Sequence, residues 1–292
     1  MKTDSLLGGI EAGGTKFVCA IGHPPDDIHA VERFPTTTPE ETISRAVDFF
    51  RSQPQLPDSI GIATFGPADV RPDSETYGFI TSTPKSGWSN TDLAGRIARE
   101  LQRPVAFDTD VNGAAVGEYL WGAGQGTQNL LYLTIGTGFG GGALVNGQPV
   151  HGLVHPEMGH LFLPRAEGDN YEGNCPFHGA CLEGMVAGPA IQAHWGTPAE
   201  ALPPDHIAWS FVAHYLSFAV TNMILILSPE RVIMGGGVMQ QEHLFPAIHS
   251  RVQSHLNGYV KAKELIDQID QYIVPPGLGS RAGVLGAMAL TL

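Results

Sequence analysis

Twice along the chain, a pair of apolar runs is separated by a short stretch dominated by glycine. Residues 6–11 and 17–21 flank Ala12-Gly13-Gly14-Thr15-Lys16, and residues 129–135 and 143–146 flank Gly136-Thr137-Gly138-Phe139-Gly140-Gly141-Gly142. Apolar runs of this length, bounded by glycine, read as strands joined in a hairpin. After the first hairpin come a candidate strand at 28–34, a helix at 39–52, a strand at 59–65, a helix at 92–101, a buried strand at 104–109 and a helix at 111–121 that opens directly after Asp110. After the second come a helix at 207–227, a strand at 231–234, the cluster Gly235-Gly236-Gly237, a helix at 242–256 and a terminal helix at 282–290. One order appearing twice predicts two similar α/β halves. The expected division is residues 1–115, joined by the terminal helix 280–292, and residues 116–279, which carry an inserted segment at 150–187.

The inserted segment lacks periodicity and is rich in His, Cys, Gly and Glu; long irregular stretches inside compact proteins are usually functional. The formal net charge of -13 argues against nucleic-acid or anionic-membrane partners. It leaves phosphate ligands open, because backbone amides and helix N-termini bind anions on acidic proteins. The apolar run at 218–227 is interrupted by Thr221 and Asn222 and is short for a bilayer span, and residues 1–9 do not have the form of a signal peptide. Three cysteines without a secretion signal point to a reducing compartment, so a soluble cytoplasmic protein is expected.

Four constellations carry chemistry. In Glu11-Ala12-Gly13-Gly14-Thr15-Lys16, adjacent glycines let backbone approach a phosphate, Thr15 and Lys16 supply donors, and Glu11 is placed to hold a metal-bound water; an ordinary hairpin turn would use the same glycines. It is not a Walker A loop, which needs Lys-Ser/Thr at a helix start. The run from Ile135 to Gly142 resembles GxGxxG, but strand residues follow it where a Rossmann site needs a helix. A second phosphate clamp is the better reading. In Asp108-Thr109-Asp110-Val111-Asn112, a carboxylate at a strand–helix junction can accept the proton of an attacking hydroxyl, and Asp110 is also where a helix N-cap belongs. Finally, His160, Cys175, His178 and Cys181 would complete a closed tetrahedral zinc site, with Glu157 and Glu183 nearby; two buried cysteines and scattered surface histidines are the plainer alternative. Cys19 reads as core; His151, His155, His194, His206, His214, His243, His249 and His255 read as surface or packing residues. Trp88 reads as a wall of a ligand cleft or as loop packing.

In their order along the chain, the Glu11–Lys16 loop, Asp110-Val111-Asn112-Gly113, Gly136–Gly142 and Pro156-Glu157-Met158-Gly159-His160 resemble the ROK family (repressor, open reading frame, kinase), and Ile10–Lys16 together with the Cys175–Cys181 run looks closest to its bacterial fructokinases. The resemblance implies two ribonuclease-H-like domains of the actin/hexokinase ATPase type with an active site in a cleft, and ATP-dependent phosphorylation of a hexose, most readily D-fructose at its 6-hydroxyl. Glucose, mannose or an N-acetylamino sugar are the alternatives, and a non-catalytic sugar-responsive regulator is a more distant one. It implies Asp110 as general base, and ATP held by Gly13, Gly14, Thr15, Lys16, Thr134, Gly136, Thr137, Gly138, Pro189, Gly237 and Gln241. Sugar contacts fall to Asn112, Glu157, His160 and Glu183. It further implies catalytic Mg2+, structural Zn2+ on His160, Cys175, His178 and Cys181, and a homodimer. Thr109 stands where the family usually has Asn, a sugar ligand.

Overall fold

The computed structural model describes residues 4–292, so the reading of residues 1–9 lies partly outside the described residues. The chain divides into two compact units: Met1–Gly126 with Gln148–Pro156 and Gly277–Leu292, and Thr127–Gly147 with Glu157–Pro276. This division differs from the expected boundary after residue 115, because a single helix runs from Asp110 to Trp121 and a cut there would split it. It differs again at 150–156, which belong to the first unit.

In the first unit, β1 (Leu7–Ala12), β2 (Lys16–His23) and β3 (Asp27–Pro35) form an antiparallel meander. Helix α1 (Pro39–Arg51) starts where Thr38 accepts the Glu41 N–H, with Pro39 and two acidic residues in its first turn. Strand β4 (Ser59–Thr64), helix α2 (Leu93–Leu101), strand β5 (Val105–Thr109) and helix α3 (Asp110–Trp121) follow. The sheet order is β3-β2-β1-β4-β5, with β4 and β5 parallel to β1. Register places Ala12 opposite Thr64 and Thr64 opposite Thr109, so the loops leaving β1, β4 and β5 emerge at one edge. The core includes Ile10, Phe17, Phe50, Ile62 and Ile97. Trp88 belongs to it as well: fully buried against Phe17 and Phe65, its Nε1–H donating to the Thr37 carbonyl, it walls no cleft.

The C-terminal helix Ala282–Ala289 packs on β1, β4 and α3 of this unit. The approach is close enough that a Cβ on Gly286 would collide with the Gly113 backbone, and one on Gly117 would lie 2.9 Å from the Gly286 Cα. Gly286→Ala is therefore expected to lower stability by about 1–3 kcal/mol, read as a shifted urea midpoint at unchanged slope. Where the chain leaves and re-enters the unit, the buried Glu118 carboxylate accepts N–H bonds from Ala123 at 2.7 Å and from Gly277 and Leu278 at 2.9 Å each. Few side chains but an acidic one could satisfy three backbone donors at once.

The second unit repeats the plan. Strands β6 (Leu130–Ile135) and β7 (Phe139–Val145) form the hairpin. Helices α4 (Leu182–Val186), α5 (Gly188–Trp195) and α6 (Ala208–Leu227), strand β8 (Arg231–Gly235), helix α7 (Leu244–Leu256) and strand β9 (Ile273–Val274) follow. The order β7-β6-β8-β9, with one antiparallel and two parallel pairings, matches β2-β1-β4-β5 of the first unit. The turn of this hairpin is shorter than its glycines suggest: β7 begins at Phe139, which makes Gly140, Gly141 and Gly142 strand residues. At Gly141 the missing Cβ leaves room for Met158, whose own Cβ would lie 2.9 Å away. Helix α6 has the length and apolar composition of a membrane span, and just over half of its most apolar stretch is buried in the structure, as in a core helix.

Candidate active site

At the loop edge of the first sheet, the Gly13 N–H donates to the Lys16 carbonyl at 3.0 Å and closes the turn, while Thr36 Oγ1 donates to the Gly13 carbonyl at 2.6 Å. Gly14 and Thr15 cross the open end of this turn, and Lys16 is exposed at the start of β2. Burial raises the Glu11 carboxyl above the usual carboxylate range, an effect that Lys16 and Arg33 partly offset. The carboxyl lies against the C-terminal helix, where a side chain at Gly283 would strike it.

Two strands away, the β5–α3 junction holds Asp110, and here the structure corrects the sequence reading. The helix begins at Asp110, and its N-cap is Thr109, in extended conformation (φ -68, ψ 155), whose Oγ1 accepts the Asn112 N–H at 3.3 Å. Asp110 occupies the first helical position and accepts the Val111 N–H at 2.9 Å, where the helix dipole still favours its ionised form. Around it, Asp108 Oδ1 accepts the Thr109 N–H at 2.7 Å and the Asn112 amide at 2.8 Å. Asn112 is 1% exposed, and one N–H of its amide is committed to Asp108. From 107 to 115 every residue is buried except Asp110.

In the second unit, Ile135 opposite Phe139 closes the hairpin around Gly136, exposed Thr137 and Gly138. The Gly188 N–H donates to the Gly136 carbonyl at 2.8 Å, bringing the start of α5, with Pro189 in its first turn, onto this loop. Thr134 lies opposite Gly235, so the Gly235–Gly237 loop emerges beside it at the same sheet edge. Gly236 has φ +91, and a Cβ there would collide with Ile135 backbone, so only glycine fits. Gln241 ends the short 3-10 turn after Gly237 and its carbonyl accepts the Leu244 N–H. Glu183 Oε2 accepts the Phe139 N–H at 2.9 Å, so this carboxylate is anchored on the glycine turn. Glu157 opens the 3-10 turn Met158–His160, which packs on β7.

His160, Cys175, His178 and Cys181 also converge in this unit, their ligand atoms all within 4.8 Å of one another. His160 Nδ1 lies 3.5 Å from Cys181 Sγ and 3.8 Å from Cys175 Sγ, and His178 Nδ1 lies 3.7 Å from Cys175 Sγ. A tetrahedron with Zn–S and Zn–N bonds of about 2.3 and 2.0 Å has N···S edges of roughly 3.6 Å, so the donor set fits zinc. The knuckle closes because Cys175 and Gly179, the latter at φ +58, exchange two backbone hydrogen bonds. Burial, with the neighbouring Cys175, pushes the Cys181 thiol up to about 11, which a bound cation would reverse.

Two histidines read from sequence as surface or packing residues have specific partners. His151 Nε2 lies 2.8 Å from Asp108 Oδ2, and that hydrogen bond pushes the imidazole above the usual histidine range against the opposing effect of burial. His155, buried, accepts the Ala68 N–H at 3.2 Å. Neither has a sequence signal, since their partners lie 43 and 87 residues away.

The ROK family model matches residues 7–292. A fructokinase of Zymomonas mobilis is 43% identical, over all of this chain and 98% of its own, and a fructokinase of Pediococcus pentosaceus is 42% identical over 98% and 97%. A crystal structure of a ROK hexokinase from Thermus thermophilus superposes with a TM-score of 0.78 at 24% identity, covering 98% of this chain and 97% of that one, and shares its fold. A family match spanning nearly the whole chain, together with the doubled sheet and its glycine turns, establishes that the chain belongs to the ROK family.

Proposed function

We propose that this chain is an ATP-dependent hexose kinase that transfers the γ-phosphoryl group of ATP to the 6-hydroxyl of D-fructose, with Asp110 as general base. The observation that carries the base is its setting: one half-exposed carboxylate in an otherwise buried junction, at the sheet edge from which the Gly13–Lys16 loop also emerges. Asp110 accepts the hydroxyl proton as O6 bonds to the γ-phosphorus and the bond to the ADP oxygen breaks. In a loose transition state the proton leaves late, so an ordinary aspartate suffices.

Gly13, Gly14, Thr15, Lys16, Thr134, Gly136, Thr137 and Gly138 hold the phosphates of ATP, and Pro189, Gly237 and Gln241 its adenosine. The support is that each half ends its first hairpin in a glycine turn flanked by a parallel strand. Mg2+, when bound, would supply charge neutralisation at the phosphates, and Glu11, near the end of β1, would hold a metal-bound water. Glu157, His160 and Glu183 accept or donate to sugar hydroxyls, and His160 keeps Nε2 for this while Nδ1 faces the zinc cluster. Zinc, when held by His160, Cys175, His178 and Cys181, would order the loop that carries both glutamates.

Fructose is favoured because relatives described as fructokinases are 40–44% identical, whereas those described as glucokinases are 25–31% identical. A coupled ADP-release assay on fructose, mannose, glucose and N-acetylmannosamine tests this. The highest kcat/KM is expected on fructose, and a better rate on glucose or N-acetylmannosamine rejects the assignment.

A further inference from the structure

The β5–α3 junction is a closed ring of hydrogen bonds around Asp110. Asp108 Oδ1 takes the Thr109 N–H and the Asn112 amide, and Thr109 Oγ1 takes the Asn112 N–H. Asp108 and Thr109 are each 4% exposed and Asn112 is 1% exposed. A carboxylate this deeply buried needs partners for both oxygens. Oδ2 meets His151 Nε2 at 2.8 Å. Because an ionised carboxylate only accepts, Nε2 carries a proton and donates, which fixes the tautomer or the imidazolium. The Asn112 amide nitrogen, 3.2 Å from the same Nε2, is then a neighbouring donor already committed to Asp108.

We propose that His151 is a positioning residue for phosphoryl transfer: by satisfying Asp108 from the segment Gln148–Pro156, it fixes the ring that aims Asp110. His151 does not touch the reacting atoms. It acts through Asp108, and without it a buried carboxylate oxygen must find water or turn outward, loosening the Thr109–Asn112 cap and the carboxylate between them. Small displacements of a reacting group cost rate far more than binding, so the loss falls on kcat. The proposal rests on Asp110 being the base.

The test compares His151→Ala, His151→Gln and Asp110→Asn with wild type in steady-state assays on fructose and ATP, with thermal unfolding of each. His151→Ala is expected to lose about 10–100-fold in kcat with the KM for ATP within about 3-fold. His151→Gln, whose amide reaches Asp108 as a donor, is expected to recover to within about 3-fold of wild type. Retention of kcat within about 2-fold in His151→Ala overturns the proposal, as does a Gln variant no better than Ala or a loss that only tracks the unfolded fraction. If Asp110→Asn itself keeps its turnover, the assignment of the base fails; if only the histidine variants do, the base stands and the positioning role is withdrawn.

Discussion

Asp110→Asn is expected to lower kcat by about 10²–10⁴-fold, the range spanned by loss of a positioned general base. The side chain is isosteric, and the bond it accepts from Val111 can be retained by the amide oxygen, so folding should be unaffected. The KM for ATP should stay within a few-fold, because the phosphate loops are separate elements. A variant with near wild-type turnover removes Asp110 from the mechanism. A variant with lowered kcat and an equally lowered unfolding midpoint would instead assign it a purely structural role.

The sequence pattern anticipated Asp110 by an argument that the structure partly replaces. Asp is a preferred cap, and the residue lies at a strand–helix junction, so capping and catalysis were assigned to one side chain. The structure separates them: Thr109 caps, and Asp110 is relieved of that duty. Both residue types cap well, and a one-residue shift of a helix start is below what pattern alone resolves. The same separation bears on Thr109, where the resemblance implies a sugar ligand: its Oγ1 accepts the Asn112 N–H, so only its own O–H is left to donate.

Hairpins and glycine turns were legible because they are local: alternation and glycine placement are direct consequences of strand and turn geometry. The doubling of the fold was legible because those local signals recur in the same order. The His/Cys cluster was legible because it is local in its Cys175–His178–Cys181 part, with His160 15 residues upstream of Cys175 completing two imidazoles and two thiols. What escaped was non-local. His151 and His155 gain their roles from Asp108 and Ala68, distant along the chain. Trp88 reads as a cleft wall or as packing with nothing local to decide between them, and the ring fills the core between Phe17 and Phe65. The glycines at 140–142 were assigned to a turn because composition does not distinguish a flexible glycine from one that makes room for a neighbour such as Met158.

Removing the metal should have the second large effect, and its signature differs from that of Asp110. Wild-type protein is expected to carry about one zinc per chain, and Cys181→Ser to carry little; less than about half an equivalent in wild type would count against a stable site. Cys181 is buried and opens α4, two residues before Glu183, while His160 ends the 3-10 turn opened by Glu157. A metal on these ligands would join segments 21 residues apart and restrain both glutamates. Its loss leaves a buried thiol and hydroxyl without a partner ion and frees the long irregular loop, so the unfolding midpoint should fall and zinc should restore it only in wild type. Because Glu157 and Glu183 are the proposed sugar contacts, the KM for fructose should rise more than the KM for ATP. Cys19→Ala is the control: Cys19 is also buried, but in the core of the first unit, so its replacement should cost packing without releasing zinc. Equal rises in both KM values for Cys181→Ser would mean that the knuckle supports the unit as a whole, and an unchanged midpoint would mean that no ion is held there.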